Sequence, residues 1–450
     1  KFHVDPVVAR IIRNREVIGE KNIRIYLGGN LSDLSDPHQM KDMDRLVEIL
    51  AQKIRKQVHI RIIGDYDVDG VTSSHLFLTA LRRVGAKVDV VIPHRIQDGY
   101  GLSLHLLQQA KEDGVDTILT CDNGIAAIDE IAWAKAQKMT VLVTDHHAVP
   151  FEEHEGRRTE KKSLADAVVN PHQQDCGYPY KELCGAGVAW NVIRVLYENY
   201  DMDKREAEDL LDFVAMATVC DVMSLTGENR ILVKEGLKRI RHTKNIGLQA
   251  LMQACNVQPE NISAYHFGYV LGPCVNATGR LDTARHALRL FETGQETEAE
   301  EIARDLVDLN QERKELTLQG VEMAKKLCEE GGYENDPILV LFLPDVHESI
   351  AGLIAGRIRE MYNRPVFVLT RGEEGVKGSG RSTENYSMYE NMCGCAELFT
   401  KFGGHPMAAG LSLPEENVEK FRRKINENCP LTVEEVCPDI HIDMAMPVGY

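Results

Sequence analysis

The chain has 450 residues, 43% of them hydrophobic and 27% charged, with a formal net charge of −17. That length supports two or three domains and at least one large core, and the composition excludes a fibrous or disordered chain. The acid excess argues against indiscriminate binding to a polyanion, because phosphate affinity comes from clustered Lys and Arg, but it is compatible with a confined basic groove. No apolar run is long enough to span a bilayer. The eleven cysteines lie scattered in apolar segments, as buried thiols do in a reducing compartment, so a cytoplasmic protein with no membrane partner is expected.

Residues 1–50 read as an N-terminal arm, with a helix in "MKDMDRLVEILAQKIRK". A strand-then-helix rhythm follows. "VHIRIIG" is a β-branched strand and "TSSHLFLTALRRVG" a helix; "KVDVVIP" is a strand and "GLSLHLLQQAKEDG" a helix. "DTILTCDNG", "AAIDEIAWAKAQKM" and "TVLVTDHH" continue the alternation, and "ADAVVNP" reads as a fifth strand. Strands alternating with helices of this length imply an α/β fold with a doubly wound, mostly parallel sheet. Residues 51–297 form this domain, its later part mostly helical. A charged helix over 298–330 joins it to a smaller α/β domain at 331–430, after the break "EEGGYENDP". The stretch 431–450 reads as the start of a further, truncated region.

Chemistry concentrates where strands end. "RIIG" runs into Asp65-Tyr66-Asp67-Val68-Asp69, "ILTC" into Asp122-Asn123-Gly124, and "VLVT" into Asp145-His146-His147. Open parallel sheets bind ligands at the carboxyl ends of their strands, near the switch point. A fourth acid, Asp221, follows the apolar run "VAMATVC". Helix N-caps explain one Asp per motif. They do not explain three at alternate positions, nor His-His after Asp. Divalent cations neutralise the whole set more simply, and oxygen ligands with one imidazole suit Mn²⁺ or Mg²⁺ better than structural zinc. There are acids enough for two ions that share a bridging carboxylate. Gly64, Gly70 and Gly124 are expected to let the backbone approach an ion or phosphate.

The Asp-His-His at 145–147 resembles the signature of the DHH phosphoesterase superfamily. "GDYDVDGVTSS", "PHRIQDGYGL", "CDNGI", "TDHH", "ATVCDVMSLTGENRILV", "NATGRLD", "GSGRS" and "FGGHPMAAGLSL" resemble, in order, motifs of the RecJ family of single-strand-specific DNA exonucleases. The resemblance covers residues 60 to about 412. It implies a DHH domain joined by the long helix to a DHHA1 domain. It also implies two Mn²⁺ or Mg²⁺ ions held by Asp65, Asp67, Asp69, Asp122, His146 and Asp221, with Asp122 bridging. His147 would face the scissile phosphate, with Asp145 in the same catalytic motif. Arg95, Tyr100, Arg280, Arg357, Ser379, Arg381, Gly404 and His405 would bind substrate, the last two within the Gly403-Gly404-His405 motif. Val346-His347 stands where the family usually has Trp-His, and "ESIAGLIAGRIRE" departs from the usual helix. An OB-containing region would follow the present chain.

Hydrolysis of single-stranded DNA from the 5′ end, in repair and recombination, is thus the leading expectation. A single-strand-binding protein and a helicase are the candidate partners. An oligoribonuclease or cyclic-dinucleotide phosphodiesterase is the alternative, disfavoured by length and by the "DYDVDG" form. An inactive replication scaffold is disfavoured because every ligand position is filled.

Overall fold

The computed structural model describes residues 2–95, 98–154, 157–333, 336–372, 375–432, 442–446 and 449. It divides into two units, Lys1–Asn310 and Gln311–Tyr450.

In the first unit, α1 (Pro6–Asn14) and α2 (Glu20–Gly28) precede α3 (Met43–Arg55). The arm expected over residues 1–50 is not uniform. Leu46, Leu50 and Ile54 recur every four residues along α3, and all three are buried in the main core. Strand β1 (Ile60–Ile63) leads into α4 (Val68–Arg83), β2 (Val88–Val91) into α5 (Leu104–Glu112), and β3 (Thr117–Cys121) into α6 (Ile128–Ala136). Then come β4 (Thr140–Thr144), a hairpin of β5 (Phe151–His154) and β6 (Arg157–Glu160), and β7 (Ala167–Val169). The main sheet has the order β2-β1-β3-β4-β7, every pair parallel. Successive strands are added to opposite sides of β1, so the switch point falls between β1 and β3. The hairpin is invisible to the apolar pattern, since "FEEH" and "RRTE" hold a single apolar residue, Phe151.

Shorter helices follow among the described residues: α7 (Gly185–Asn199), α8 (Lys204–Glu208), α9 (Leu211–Cys220), α10 (Gly227–Ile240), α11 (Ile246–Ala254), α12 (Ala264–His266) and α13 (Gly272–Leu281). The last of the unit's short helices is α14 (Ala284–Glu292). Helix α9 is mostly apolar and buried from Leu211 to Thr218, with Asp212 as its one acid, and Asp221 caps its C-terminal end. The 35-residue α15 (Glu296–Glu330) contains the unit boundary. Its Ala299, Ala303 and Leu306 lie in the first unit's core, and its Val321, Ala324 and Cys328 in a core of the second.

The second unit has the strands β8 (Leu339–Phe342), β9 (Val366–Gly372), β10 (Gly375–Arg381), β11 (Lys401–His405) and β12 (Ala408–Leu413). Their order is β11-β12-β10-β9-β8, with only β8–β9 parallel. Its helices are α16 (Ala351–Tyr362), α17 (Met388–Cys393) and α18 (Val418–Glu427). Alternation along the strands splits the core in two. Leu339, Leu341 and Val368 face Ile354 of α16, and Val340 and Phe367 face Phe421 of α18. No helix among the described residues is long and apolar enough to cross a membrane, and no disulfide joins the described cysteines.

Candidate active site

The turn after β1 sets three carboxylates in three environments. Asp67 caps α4, accepting from the Gly70 amide at 3.0 Å. The N-cap reading therefore accounts for one acid of the three. Asp69, in the first turn of α4, is gripped by the first amides of α7: Gly185 donates at 2.6 Å and Ala186 at 2.7 Å. A helix N-terminus favours a carboxylate there. Asp65 is 1% exposed, and its Oδ1 has no hydrogen-bond partner. Gly64 and Gly70 serve this turn by packing. A Cβ on Gly64 would meet Ser74 Oγ at 2.0 Å, and one on Gly70 would meet the Asp65 carbonyl oxygen at 2.4 Å.

Asp122 leaves β3 in the left-handed region, φ 62°. That conformation is uncommon outside glycine and costs on the order of 1–3 kcal/mol. Asp122 is 2% exposed, and a Cβ on Gly185 would lie 2.6 Å from its own Cβ, so α7 needs a bare backbone here. His146 Nε2 lies 3.1 Å from Asp122 Oδ1, 3.6 Å from Asp221 Oδ2 and 3.7 Å from Asp69 Oδ2. Neither His146 Nε2 nor Asp122 Oδ1 makes a hydrogen bond. Buried polar atoms normally find partners, so unpartnered ones converging on one spot mark the place of a bound group.

The ligand-like atoms fall into three overlapping groups, each within 4.8 Å: Asp65, Asp67 and Asp122; Asp69, His146 and Asp221; Asp122, His146 and His147. Asp122 is common to two. Burial, then the mutual charge of the neighbouring acids, pushes the Asp65 and Asp122 carboxyls well above the usual carboxylate range and raises that of Asp67. Burial with Asp69 and Asp67 pushes Asp221 up to about 8. Such a cluster takes up protons unless cations replace them, which fits hard divalent ions.

Asp145 has another task. Its Oδ1 accepts from His147 Nδ1 at 2.7 Å and from the amides of His146 at 2.7 Å and His147 at 3.1 Å, and its Oδ2 accepts from the Ile125 amide at 2.8 Å. It is a positioning residue for His147, with its oxygens already occupied. Burial lowers the His147 imidazole, but the Asp145 hydrogen bond and charge overcome this and push it up to about 9. Burial likewise opposes Asp145, yet the bond to His147 holds it below the carboxylate range. His147 Nε2 lies 3.0 Å from the Tyr100 hydroxyl, which donates to the Asp122 carbonyl at 3.1 Å.

Around this centre stand the other expected residues of the unit. The Arg95 guanidinium lies 4.9 Å from the Tyr66 ring centre, and Tyr100 meets Tyr66 edge-on at 6.3 Å. The charge of Arg280, near the end of α13, also acts on Tyr66. Sequence reasoning missed Asn276, which accepts from the Val68 amide at 3.1 Å, and Asn170, which donates to the His147 carbonyl at 2.9 Å. It also missed the α7 amides, although the small residues of "CGAGVAW" were a signal that something approaches closely.

Taken by itself, the second unit brings four expected residues to one sheet edge. Ala408 on β12 pairs with Arg381 on one side and His405 on the other, and Ser379 and Gly404 lie one or two residues along. A Cβ on Gly352, in the first turn of α16, would sit 2.9 Å from Arg381 Nη2 and 3.4 Å from Ser379 Oγ. Arg357 does not join them. Five residues beyond Gly352 it leaves α16 on another side, 68% exposed, with Glu360 at 3.5 Å.

Known proteins resemble this chain in sequence and in fold. The model of the DHH family, N-terminal domain, matches residues 59–218, and that of the DHHA1 domain matches 335–429. The single-stranded-DNA-specific exonuclease RecJ of Haemophilus influenzae is 36% identical over 440 residues, 94% of this chain and 74% of the relative. That of Bacillus subtilis is 34% identical over 452 residues, and the chain spans 56% of its length. A crystal structure of exonuclease RecJ bound to manganese superposes with a TM-score of 0.74 at 32% identity, over 86% of this chain and 94% of that one. With both domains in order and this identity over nearly its whole length, the chain belongs to the RecJ family.

Proposed function

We propose that this chain is a divalent-metal-dependent exonuclease that hydrolyses phosphodiester bonds of single-stranded DNA, 5′ to 3′, in the cytoplasm, in repair and recombination. The observation that carries the reading is the converging set of buried, unpartnered ligand atoms on Asp65, Asp122 and His146. The single-stranded-DNA-specific exonuclease activity of the relatives and the manganese-bound relative support it. Asp65, Asp67 and Asp122 would hold one ion and Asp69, His146 and Asp221 the other, with Asp122 shared. Two Mn²⁺ or Mg²⁺ ions, when bound, supply Lewis-acid stabilisation of charge on the phosphoryl oxygens.

The chain's own residues supply the rest. Asp145 fixes the His147 ring and favours its protonated form, in which Nε2–H is a donor for a phosphate oxygen. Tyr100 stands against that ring, and Asn170 holds the His147 backbone carbonyl. Arg95 and Arg280 place cations beside the turn, where a backbone phosphate can pair with them. Ser379, Arg381, Gly404 and His405 are a second phosphate-binding edge. A helicase and a single-strand-coating protein are the partner classes such a substrate implies.

The test uses purified protein with Mn²⁺, end-labelled single strands, blunt duplexes and dinucleotides. Single strands are expected to be shortened from the 5′ end. Equal cutting of duplex overturns the reading, and cleavage of dinucleotides alone replaces it with a short-substrate phosphodiesterase.

A further inference from the structure

Two tyrosines of the first unit have no part in the site so far. Tyr265 and Tyr269 are 62% and 72% exposed, and their rings stack with centroids 5.2 Å apart and planes 22° from parallel. They belong to a continuous helical rod: α12, a π-helical turn over Phe267–Leu271, and α13. π-turns are rare and concentrate at functional sites, and Tyr269 lies inside this one.

One side of the rod is anchored. Phe267, Leu271, Cys274 and Val275 are buried. The Cys220 thiol at the end of α9 donates to the Phe267 carbonyl at 3.3 Å, and a Cβ on Gly272 would meet Cys220 Sγ at 2.3 Å. Cys220 directly precedes Asp221. Beside it, Val222 is 87% exposed and held at φ 58°, a conformation that is an outlier for a β-branched residue.

The other side carries Tyr265, Tyr269, Asn276 and Arg280. Their spacing places them on one helical face. At its far end this face touches the metal-candidate turn. Asn276 holds the Val68 amide, and a Cβ on Gly279 would meet the Tyr66 carbonyl at 2.3 Å. At 1.5 Å per residue the tyrosines stand roughly 10 to 16 Å along the rod from Asn276.

We infer that Tyr265 and Tyr269 are a base-stacking platform for the single strand on its way to the centre, holding it by ring–base contact a few nucleotides from the scissile phosphate. This rests on the proposed function and adds a specificity element to it. Stacking tolerates any sequence, since every base has a π-face. It rejects duplex, whose bases have no free face to offer. Exposed aromatic rings on an acidic protein also supply affinity that salt does not screen.

The experiment measures anisotropy of labelled oligonucleotides with chelator present, and kcat/KM with Mn²⁺, for the wild type, Y265A, Y269A, the double variant and Y265F/Y269F. Loss of a stacked base costs each alanine variant about tenfold in binding, and the ratio of kcat/KM on long strands to that on dinucleotides falls by a similar factor. Y265F/Y269F is expected to match the wild type, because the ring and not the hydroxyl stacks. Thermal melting separates these effects from misfolding. Equal binding by the alanine and phenylalanine pairs overturns the platform. A wild type that neither binds nor cuts single strands overturns the proposed function as well, so the two failures are distinguishable.

Discussion

On the proposed function the two units would meet one chemical problem, holding a polyanion, by opposite means. The first buries acids at the ends of parallel strands, where Asp65, Asp69, Asp122 and Asp145 are each 2% exposed or less. The second lays Arg381 and His405 across three antiparallel strands at a half-open edge. Parallel strands all end on one side, so a crevice there gathers loops from distant parts of the chain. Antiparallel strands gather residues in register, and a single row gives a flat strip. The first geometry suits enclosed ions and chemistry, the second suits a grip on the backbone.

The largest effect expected from breaking this division is Asp122→Ala. Hydrolysis should fall by about 10³-fold or more, since a carboxylate shared by two ions would underlie several kcal/mol of transition-state stabilisation. In chelator the same variant should melt higher than the wild type, because removing one of several crowded acids relieves repulsion. Unchanged turnover would mean that the centre is misplaced.

A buried acid outside the centre sharpens the contrast. Asp212 accepts from Thr243 Oγ1 at 2.6 Å and from the Phe213 amide at 2.9 Å, and burial pushes it up to about 6. The folded state then binds this proton more tightly than the unfolded state. Stability should therefore fall as pH rises from about 4 to 6 and stay reduced above, by on the order of 3 kcal/mol. Urea unfolding of Asp212→Asn at pH 5 and 7.5 should show a smaller pH difference and a more stable protein at pH 7.5. An unaltered pH difference would assign the effect elsewhere.

Added Mn²⁺ tests the two units against each other. At a hundred times its dissociation constant it should stabilise the folded state by about 2.7 kcal/mol. Hydrogen exchange should slow at the ends of β1, β3 and β4 and not in β10–β12. Equal protection in both units would contradict the division of labour. The smallest effect belongs to the second unit. Arg381→Ala should weaken single-strand binding about tenfold and lower the salt dependence by about one phosphate contact, leaving the Mn²⁺ response intact. Loss of that response would place Arg381 elsewhere in the mechanism.

Much of this was legible in the sequence because period and punctuation are local. β-branched runs ending in Asp-rich turns give both the strands and the sheet edge where the acids gather. Roles that depend on distant partners were not legible. "DHH" cannot reveal that Asp145 is saturated by four donors while His146 Nε2 is left open. Nothing in "GDYDVDG" separates the capping Asp67 from Asp69, whose donors lie more than a hundred residues ahead. Arg357 is similar: nothing in "ESIAGLIAGRIRE" tells that it leaves α16 68% exposed, on a side away from Gly352.

The grip of α7 on Asp69 bears on when the centre can exist during synthesis. Gly185 and Ala186 stand 116 and 117 residues downstream of the carboxylate they hold, and Asp221 is later still. A ribosome-bound chain that has exposed only the first three strands carries acids with nothing to align them. Ion capture is therefore expected to wait until α7 and α9 have docked, so the centre cannot be completed before the chain has emerged past Asp221.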